Sequence, residues 1–328
     1  MAQVKVFVPT YRRPTMLRRA LESLRAQTFQ DWTCEVHNDD PGDDSPARVI
    51  HELGDKRIQL VQHETNLGGT ATFNLFFHDC SVSFYTVLED DNWWEPKFLE
   101  EMLRFASEFP RAAVFSSNMR LWREMPDGTF SDTGRFAREE QPATDEARLV
   151  DWGHTHQASG AWHSHSATLI RCTPGQDFRT PEVPISATEI FRERAFPHPL
   201  VVTPKPLANF TITQTTARTS DVAEWAEVQA MLAATFVHAS RDRAKDVWDA
   251  ARRRSPSGAP ALIWAGLLDR ESRCLLRGAR PHEWIAFLRG AVRRPCLVWR
   301  MLCSRRCHVA WWEFLERNTN KRWTGVDR

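Results

Sequence analysis

The chain has 328 residues, of which 42% are hydrophobic and 26% are charged, and its formal net charge is +1. This composition excludes a disordered or fibrous chain and indicates a globular protein with one large domain or two ordinary ones. No apolar run approaches the roughly 20 residues that cross a bilayer, and residues 1–9 lack the layout of a signal peptide, so a cytoplasmic location is expected.

In the first 120 residues, short buried strands alternate with amphipathic helices, as βαβ units require. Strands are predicted over 4–9, 33–37, 58–62, 84–88 and 112–116, and helices near 17–24 and over 47–53, 70–78 and 96–109. This alternation predicts an α/β fold with a doubly wound, mostly parallel sheet.

The pattern loosens after residue 120. A strand is predicted over 166–170, a short helix over 188–195 and an extended, proline-rich stretch over 198–210. Beyond residue 220 the pattern is helical to the end, with a Pro- and Gly-rich break over 256–260. We therefore expect an α/β domain over 1–220, with halves 1–120 and 121–220, and a basic, Trp- and Arg-rich helical region over 221–328.

The net charge conceals an asymmetry between the two ends of the chain. Residues 241–328 contain 20 Lys and Arg but 9 Asp and Glu, whereas residues 1–240 contain 23 and 33. A basic region of this kind, with Trp in amphipathic helices, fits an anionic membrane surface or a nucleic-acid backbone. The alternative is a helical subdomain that packs on the acidic body.

Three consecutive carboxylates, Glu89-Asp90-Asp91, follow the predicted strand 84–88. α/β sheets bind ligands at the carboxyl ends of their strands. Carboxylates at that edge suit Mg²⁺ or Mn²⁺, which in turn bind phosphates. The acidic turn therefore predicts chemistry on a nucleotide-linked substrate, with a solvated turn as the alternative.

Further motifs occur in order along the first hundred residues. They are Val8-Pro9-Thr10-Tyr11-Arg12-Arg13, Ser23-Leu24-Arg25-Ala26-Gln27-Thr28, Asp39-Asp40, Asn66-Leu67-Gly68 with Asn74, and the segment 88–99 around the acidic turn. Together they resemble glycosyltransferase family 2, a group of GT-A-fold enzymes that use nucleotide sugars, over roughly residues 3–215.

The resemblance implies a metal-dependent, inverting transfer of a sugar from a UDP- or dTDP-sugar to an acceptor hydroxyl. Asp39 would accept a hydrogen bond from a pyrimidine base, unless it only satisfies its own loop backbone. Arg12 or Arg13 would approach the diphosphate. The full set implied to bind the nucleotide sugar is Pro9, Thr10, Tyr11, Arg13, Asp39, Asn66, Gly68, Asn74, Glu89 and Asp90.

The resemblance also implies a metal site for Mn²⁺ or Mg²⁺. Asp91 aligns with the last carboxylate of the family's DxD motif and is expected to bind the metal. Glu89 replaces the first Asp and is one methylene longer, which leaves its contact open. Asp90 takes the variable middle position, from which it can also point away. His163, on the same face of a predicted strand as His165, is a further candidate ligand, unless it only lines a polar surface.

The catalytic base is where the sequence departs from the family. Ser186-Ala187 replaces the usual Glu-Asp pair before the helix 188–195. Glu189 is the nearest carboxylate and is the expected base, with Glu182 and then Asp177 behind it, although Glu189 also suits a helix N-terminus. The departure leaves open a non-catalytic nucleotide-sugar-binding module.

The acceptor is not identified by the sequence. The basic C-terminal region suggests a glycan, lipid-linked or other anionic acceptor, with peripheral attachment to a membrane. A glycosyltransferase that modifies DNA bases is the alternative.

Overall fold

The computed structural model describes residues 2–78, 81–138, 146–214, 221–238, 241–254 and 260–324. The chain forms two compact units, each made from three segments. The first contains the described residues of Met1–Asp151, His163–Arg179 and Phe196–Thr216, and the second those of Trp152–Trp162, Thr180–Ala195 and Ala217–Arg328. The domain boundary expected at residue 220 falls outside the described residues and remains a prediction.

One half of the sheet in the first unit is entirely parallel. It consists of β1 (Val4–Thr10), β2 (Trp32–Asn38), β3 (Ile58–Gln62) and β4 (Phe84–Val87), in the order β3-β2-β1-β4. Thr10 pairs with Asn38, and Phe7 pairs with Val87. The carboxyl ends of β2, β1 and β4 therefore lie side by side at one edge.

The other half of the sheet mixes directions. Its strands are β5 (Trp93–Trp94), β6 (Val114–Glu124), β7 (Phe130–Phe136), β8 (Arg148–Val150), β9 (Thr168–Arg171) and β10 (Leu200–Ile212). The order continues from β4 as β9-β6-β10-β5, with β9 antiparallel to both of its neighbours. Six of the eight strands on this path run in the same direction, because only β9 and β5 are reversed. This confirms the predicted α/β class with a mostly parallel sheet.

The helices of the first unit pack on this sheet through one apolar face. They are α1 (Pro14–Arg25), α2 (Ser45–Leu53), α3 (Gly69–Asn74) and α4 (Phe98–Glu108). In α1 the predicted positions Leu17, Ala20, Leu21 and Leu24 are fully buried, as their three- and four-residue spacing requires. Gly68 precedes α3 with a φ of 82°, a conformation that favours glycine.

The second unit is helical. Its helices are α5 (Thr188–Ala195), α6 (Val222–His238), α7 (Ala244–Arg254), α8 (Pro260–Leu268), α9 (Cys274–Gly278), α10 (Pro281–Arg293), α11 (Pro295–Cys307) and α12 (Val309–Thr324). Its core is formed by α6, α8 and α12, with Met231, Ile263 and Leu315 fully buried. The helix predicted over 188–195 is confirmed at both ends. No helix among the described residues is long and apolar enough to cross a membrane.

His163 and His165 do not share a strand, contrary to the expectation. β9 begins only at Thr168, and His165 lies in a 3-10 turn, His165–Ala167. The ring of His163 packs edge-on against Phe196 at 4.7 Å, and His165 stacks on Phe73 at 4.5 Å. Both histidines are buried by these aromatic contacts.

Candidate functional site

The ends of β1, β2 and β4 bring together residues that are distant in sequence. Asp39 directly follows β2, and its backbone N–H donates to Thr10 O at 3.0 Å. Leu88 follows β4, and its N–H donates to Phe7 O at 2.9 Å. The acidic turn 89–91 and Asp39 therefore flank the end of β1, as expected for the carboxyl edge of a parallel sheet.

Asp90 points into the protein, toward β1. Its Oδ2 accepts a hydrogen bond from Thr10 Oγ1 at 2.8 Å, and the backbone N–H of Tyr11 also donates to it. Burial and the neighbouring Asp91 carboxylate raise the pKa of Asp90 to about 7. The carboxyl at the motif's variable position is thus held by the first strand.

Arg13 joins the two aspartates. Its Nη1 lies 2.9 Å from Asp91 Oδ2 and 3.4 Å from Asp90 Oδ1. Oxygens of the two carboxylates therefore converge on one cationic nitrogen. Convergent carboxylate oxygens that already hold a positive charge fit a hard divalent cation.

The backbone of Asp91 is fixed separately from its side chain. Its carbonyl accepts from Arg19 Nη2 at 2.7 Å and from Thr211 Oγ1 at 2.5 Å. The Arg19 guanidinium lies between the rings of Trp93 and Phe130, at 4.0 and 3.8 Å from their centroids. Burial lowers the pKa of Arg19 to about 10, which leaves it charged at neutral pH.

The Glu89 side chain is held by residues beside the sheet. Its Oε2 accepts from Ser166 Oγ at 2.8 Å and from Asn92 Nδ2 at 3.0 Å. Asn92 Oδ1 in turn accepts from the Thr211 N–H at 3.0 Å. Asn92 and Ser166 thus fasten the acidic turn to β10 and to the start of β9.

Asp39 organises the loop before α3. Its Oδ1 accepts from Leu67 N at 2.8 Å and from His63 Nδ1 at 3.0 Å, and its Oδ2 accepts from Gly68 N at 2.9 Å. Asn66 Nδ2 donates to the Asp39 carbonyl at 2.9 Å. A carboxylate offers about four acceptor positions, so these three contacts leave one position open. Asn66 and Gly68 act here by shaping the loop.

A pair of buried histidines extends from Asp39. His63 Nε2 lies 3.1 Å from His37 Nδ1, and His37 Nε2 lies 3.6 Å from Glu35 Oε2. Burial, with a further contribution from His63, lowers the pKa of His37 to about 4, so His37 is neutral at physiological pH. The chain Glu35, His37, His63 and Asp39 connects the site to the surface.

The remaining predicted residues are more dispersed. Tyr11 is exposed, with the Arg12 guanidinium 4.9 Å from its ring centroid, while Pro9 lies within β1 and Asn74 ends α3. Among the described residues, Asp91, Glu89 and His163 do not form a group of three ligands close enough to share one ion. The contacts of Glu89 with Ser166 and of His163 with Phe196 account for this.

The candidate bases lie on different units. Glu189 is half-buried in the first turn of α5, and Glu182 is exposed ahead of that helix, both in the second unit. Asp177 belongs to the first unit, where Arg179 Nη2 lies 2.7 Å from it and lowers the pKa of its carboxyl. The assignment of the base remains a prediction.

Sequence reasoning did not identify Asn92, Ser166, Arg19, His37 or His63. Their contacts cross between strands and helices that are distant along the chain, up to 192 residues for Arg19 and Thr211. Asn92 lies inside the recognised motif and His63 directly follows the third strand. These positions in the sequence were the only indication that either residue belongs to the site.

The fold and its carboxylate-bearing edge define the class of protein as a GT-A-type α/β domain. S. aureus TarS 1-349, crystallised in complex with UDP-GlcNAc, shares this fold with a TM-score of 0.57 and 15% identity, over 97% of this chain and 92% of that one. Residues 5–161 match the model of glycosyl transferase family 2. These residues, just under half of the chain, carry its similarity to that family.

Two curated relatives match the first part of the chain. One is UDP-Glc:alpha-D-GlcNAc-diphosphoundecaprenol beta-1,3-glucosyltransferase WfgD of Escherichia coli, 28% identical over 97 residues, which are 30% of this chain and 38% of that protein. The other is GalNAc(5)-diNAcBac-PP-undecaprenol beta-1,3-glucosyltransferase of Campylobacter jejuni, 28% identical over 110 residues, 33% of this chain and 36% of that protein. The chain thus spans about a third of the length of these relatives.

Proposed function

We propose that the protein is a metal-dependent, inverting glycosyltransferase that moves a sugar from a UDP- or dTDP-sugar to an acceptor hydroxyl. The convergence of the Asp90 and Asp91 carboxylates on Arg13 Nη1, beside Asp39 at one sheet edge, carries this proposal. The match of residues 5–161 to glycosyl transferase family 2 and the UDP-GlcNAc complex of TarS support it. The proposed donor-binding set is the one expected from the sequence.

Asp91, together with Asp90, is proposed to hold Mn²⁺ or Mg²⁺. A bound divalent cation supplies charge stabilisation for the departing nucleoside diphosphate. Arg13 contributes a second positive charge at the same place and balances the two carboxylates. Thr10 orients Asp90 through its hydroxyl, and Arg19 holds the Asp91 backbone in place. These contacts keep both carboxylates directed at one point.

Asp39 is proposed to accept the imide N–H of a pyrimidine base with its remaining acceptor position. The hydrogen bonds from Leu67, Gly68 and His63 fix the carboxylate in one orientation. A fixed acceptor discriminates better than a mobile one, because a base without the matching donor leaves it unpaired.

An inverting transfer also needs a base to deprotonate the acceptor hydroxyl as it attacks. We assign this role to Glu189, with Glu182 as the second candidate. Glu189 stands in the first turn of α5, three residues after Ser186, and its side chain is half-buried. The variant Glu189→Gln tests this role, because loss of the base should abolish sugar transfer while the donor still binds.

The acceptor is proposed to be a lipid-linked glycan. This proposal is supported by the two curated relatives, whose names specify diphosphoundecaprenol or PP-undecaprenol acceptors. A cytoplasmic protein attached peripherally to the membrane would meet such an acceptor at the lipid surface.

Calorimetric titration of the full chain with UDP and Mn²⁺ tests the donor half of the proposal. Binding is expected with wild type and is expected to fall at least tenfold in Asp91→Ala. Asp127→Asn is a matched control, because Asp127 is exposed in the β6–β7 turn. Absence of binding, or equal binding by Asp91→Ala and wild type, refutes the proposal. If UDP binds, a thermal-shift screen of nucleotide sugars with Mn²⁺ would identify the sugar, because the bound donor raises the melting temperature.

A further inference from the structure

Helices α10 and α11 expose large apolar side chains to solvent. The fractional exposure is 50% for Ile285, 57% for Leu288, 83% for Val292, 72% for Trp299 and 61% for Leu302. Such side chains are common singly on protein surfaces, but a group on consecutive helices marks an interaction site.

The spacing places these side chains on one face of each helix. On α10, Ile285, Leu288 and Val292 are three and four residues apart, so they lie on one side. The opposite side faces the interior of the second unit through Glu283 and Phe287, which are buried. On α11, Trp299 and Leu302 lie on the outward side, while Met301 and Ser304 are buried. Each helix is therefore anchored on one face and apolar on the other.

Arginines accompany these apolar side chains, without acidic residues. Residues 284–312 contain six arginines and no Asp or Glu. Arg300 pairs with Asp221 and Glu227 of the second unit, each at 2.6 Å. Arg305 pairs with Asp269 at 2.7 Å and with Glu316 at 2.9 Å.

The other four arginines are different. Arg289, Arg293, Arg294 and Arg306 are exposed, and none has an ion-pair partner within the part of the chain that the structure describes. Arg289 and Arg293 lie on the outward side of α10, and Arg306 lies on that of α11, one turn after Leu302. The outward surface is thus both apolar and positively charged.

We infer that this α10–α11 face, formed by Ile285, Leu288, Arg289, Val292, Arg293, Trp299, Leu302 and Arg306, binds the interface of an anionic lipid bilayer. A bilayer interface offers both of the complements that this face requires. Acyl chains accept aliphatic side chains, the headgroup region accepts Trp, and anionic headgroups accept arginine.

Two other occupants fit less well. Two copies of this face would bring unpaired arginines together without an acidic partner, which disfavours a homodimer. A nucleic acid would pair with the arginines, but it offers little to Ile285, Val292 or Leu302, because bases stack on aromatic rings. The lipid surface is therefore the partner that the observations favour.

This inference deepens the proposed lipid-linked acceptor and rests on it only for its biological purpose. It is tested by co-sedimentation of the full chain with vesicles of phosphatidylcholine, with and without phosphatidylglycerol, in the absence of donor and acceptor. Vesicle binding and sugar transfer are then separate results, and either can fail alone.

Two triple variants separate the apolar and the charged contributions. Arg289→Gln with Arg293→Gln and Arg306→Gln is expected to weaken binding to the anionic vesicles by about fivefold per arginine, on the order of a hundredfold in total. It should also flatten the salt dependence of binding. Leu288→Ser with Val292→Ser and Trp299→Ser is expected to weaken binding at least tenfold while the charge stays unchanged.

The control carries the same kinds of substitution on the first unit. Leu149→Ser with Arg48→Gln changes an exposed Leu and an exposed Arg, and it is expected to bind vesicles like wild type. The single variant Val292→Glu, at the most exposed of the apolar positions, is expected to fold like wild type and to weaken binding.

The inference is overturned if wild type does not sediment with anionic vesicles, or if both triple variants bind like the control. Equal binding to vesicles with and without phosphatidylglycerol refutes the role of the arginines. A wild-type chain that does not bind vesicles could instead self-associate or bind duplex DNA. If the apolar triple variant abolishes that binding, the face belongs to one of these other partners.

Discussion

Replacing Arg13 by Gln is expected to strengthen the binding of Mn²⁺ in the absence of nucleotide. Arg13 Nη1 lies 2.9 Å from Asp91 Oδ2 and 3.4 Å from Asp90 Oδ1. A divalent cation that uses these oxygens competes with the guanidinium and is repelled by its charge. Gln removes the competing charge while keeping a side chain that can still donate a hydrogen bond.

The size of the effect follows from the shorter contact. A hydrogen bond to a charged group contributes about 1.5–3 kcal/mol net, and about 1.4 kcal/mol corresponds to a tenfold change in affinity. The contact at 3.4 Å is too long to add much. We therefore expect the Kd for Mn²⁺ to fall about tenfold to a hundredfold in Arg13→Gln. Asp90 is mostly ionised at pH 8, because its pKa is about 7.

The assay is titration of free Mn²⁺ by electron paramagnetic resonance at pH 8. Arg12→Gln is the matched control, because Arg12 Nε pairs with Asp40 and no contact joins it to Asp90 or Asp91 in the described part of the site. The reasoning predicts a second, opposite effect, since loss of a diphosphate contact should weaken UDP binding in Arg13→Gln. A Kd for Mn²⁺ equal to that of wild type would show that the cation is not held by these carboxylates.

Three further predictions concern the scaffold and the base. Asn92→Ala should lower the stability of the first unit by about 2–4 kcal/mol, seen as a lower urea midpoint, because it leaves the buried Thr211 N–H without its acceptor and removes one of the hydrogen bonds to Glu89. Burial lowers the pKa of His37 to about 4 from its usual 6.5, so wild type should lose stability relative to His37→Phe as the pH drops from 6.5 towards 4, whereas the raised pKa of Asp90 acts in the opposite direction in both proteins. His37→Phe should remove that dependence, and an unchanged pH profile would contradict it. Glu189→Gln should abolish sugar transfer but retain UDP binding; if Glu182→Gln does so instead, Glu182 is the base.

The parallel half of the fold could be predicted because its determinants are local. Four apolar runs separated by amphipathic helices require parallel neighbours, and this places the residue after each strand at a common edge. The adjacency of Asp39 and the acidic turn follows from that rule. The helix Thr188–Ala195 was also predictable from its own sequence.

The other half of the sheet depends on long-range pairing. β9 inserts between β4 and β6 in the reverse direction, and this insertion places Ser166 beside Glu89, 77 residues away in the chain. Neither sequence segment alone indicates this pairing. The exchange of Asp for Glu at position 89 becomes intelligible only here, because the longer side chain reaches Ser166 and Asn92.

The arginines illustrate how the structure divides a single property of the sequence. Composition alone gives an excess of basic residues after residue 240, which fits packing as well as an anionic partner. In the structure, Arg300 and Arg305 are neutralised by four carboxylates of the same unit, so they serve packing. Arg289, Arg293 and Arg306 stand beside exposed apolar side chains instead. An exposed charge is well solvated on its own, but an exposed Val292 or Trp299 is not, and burial of both kinds together requires a partner that is apolar and anionic at once.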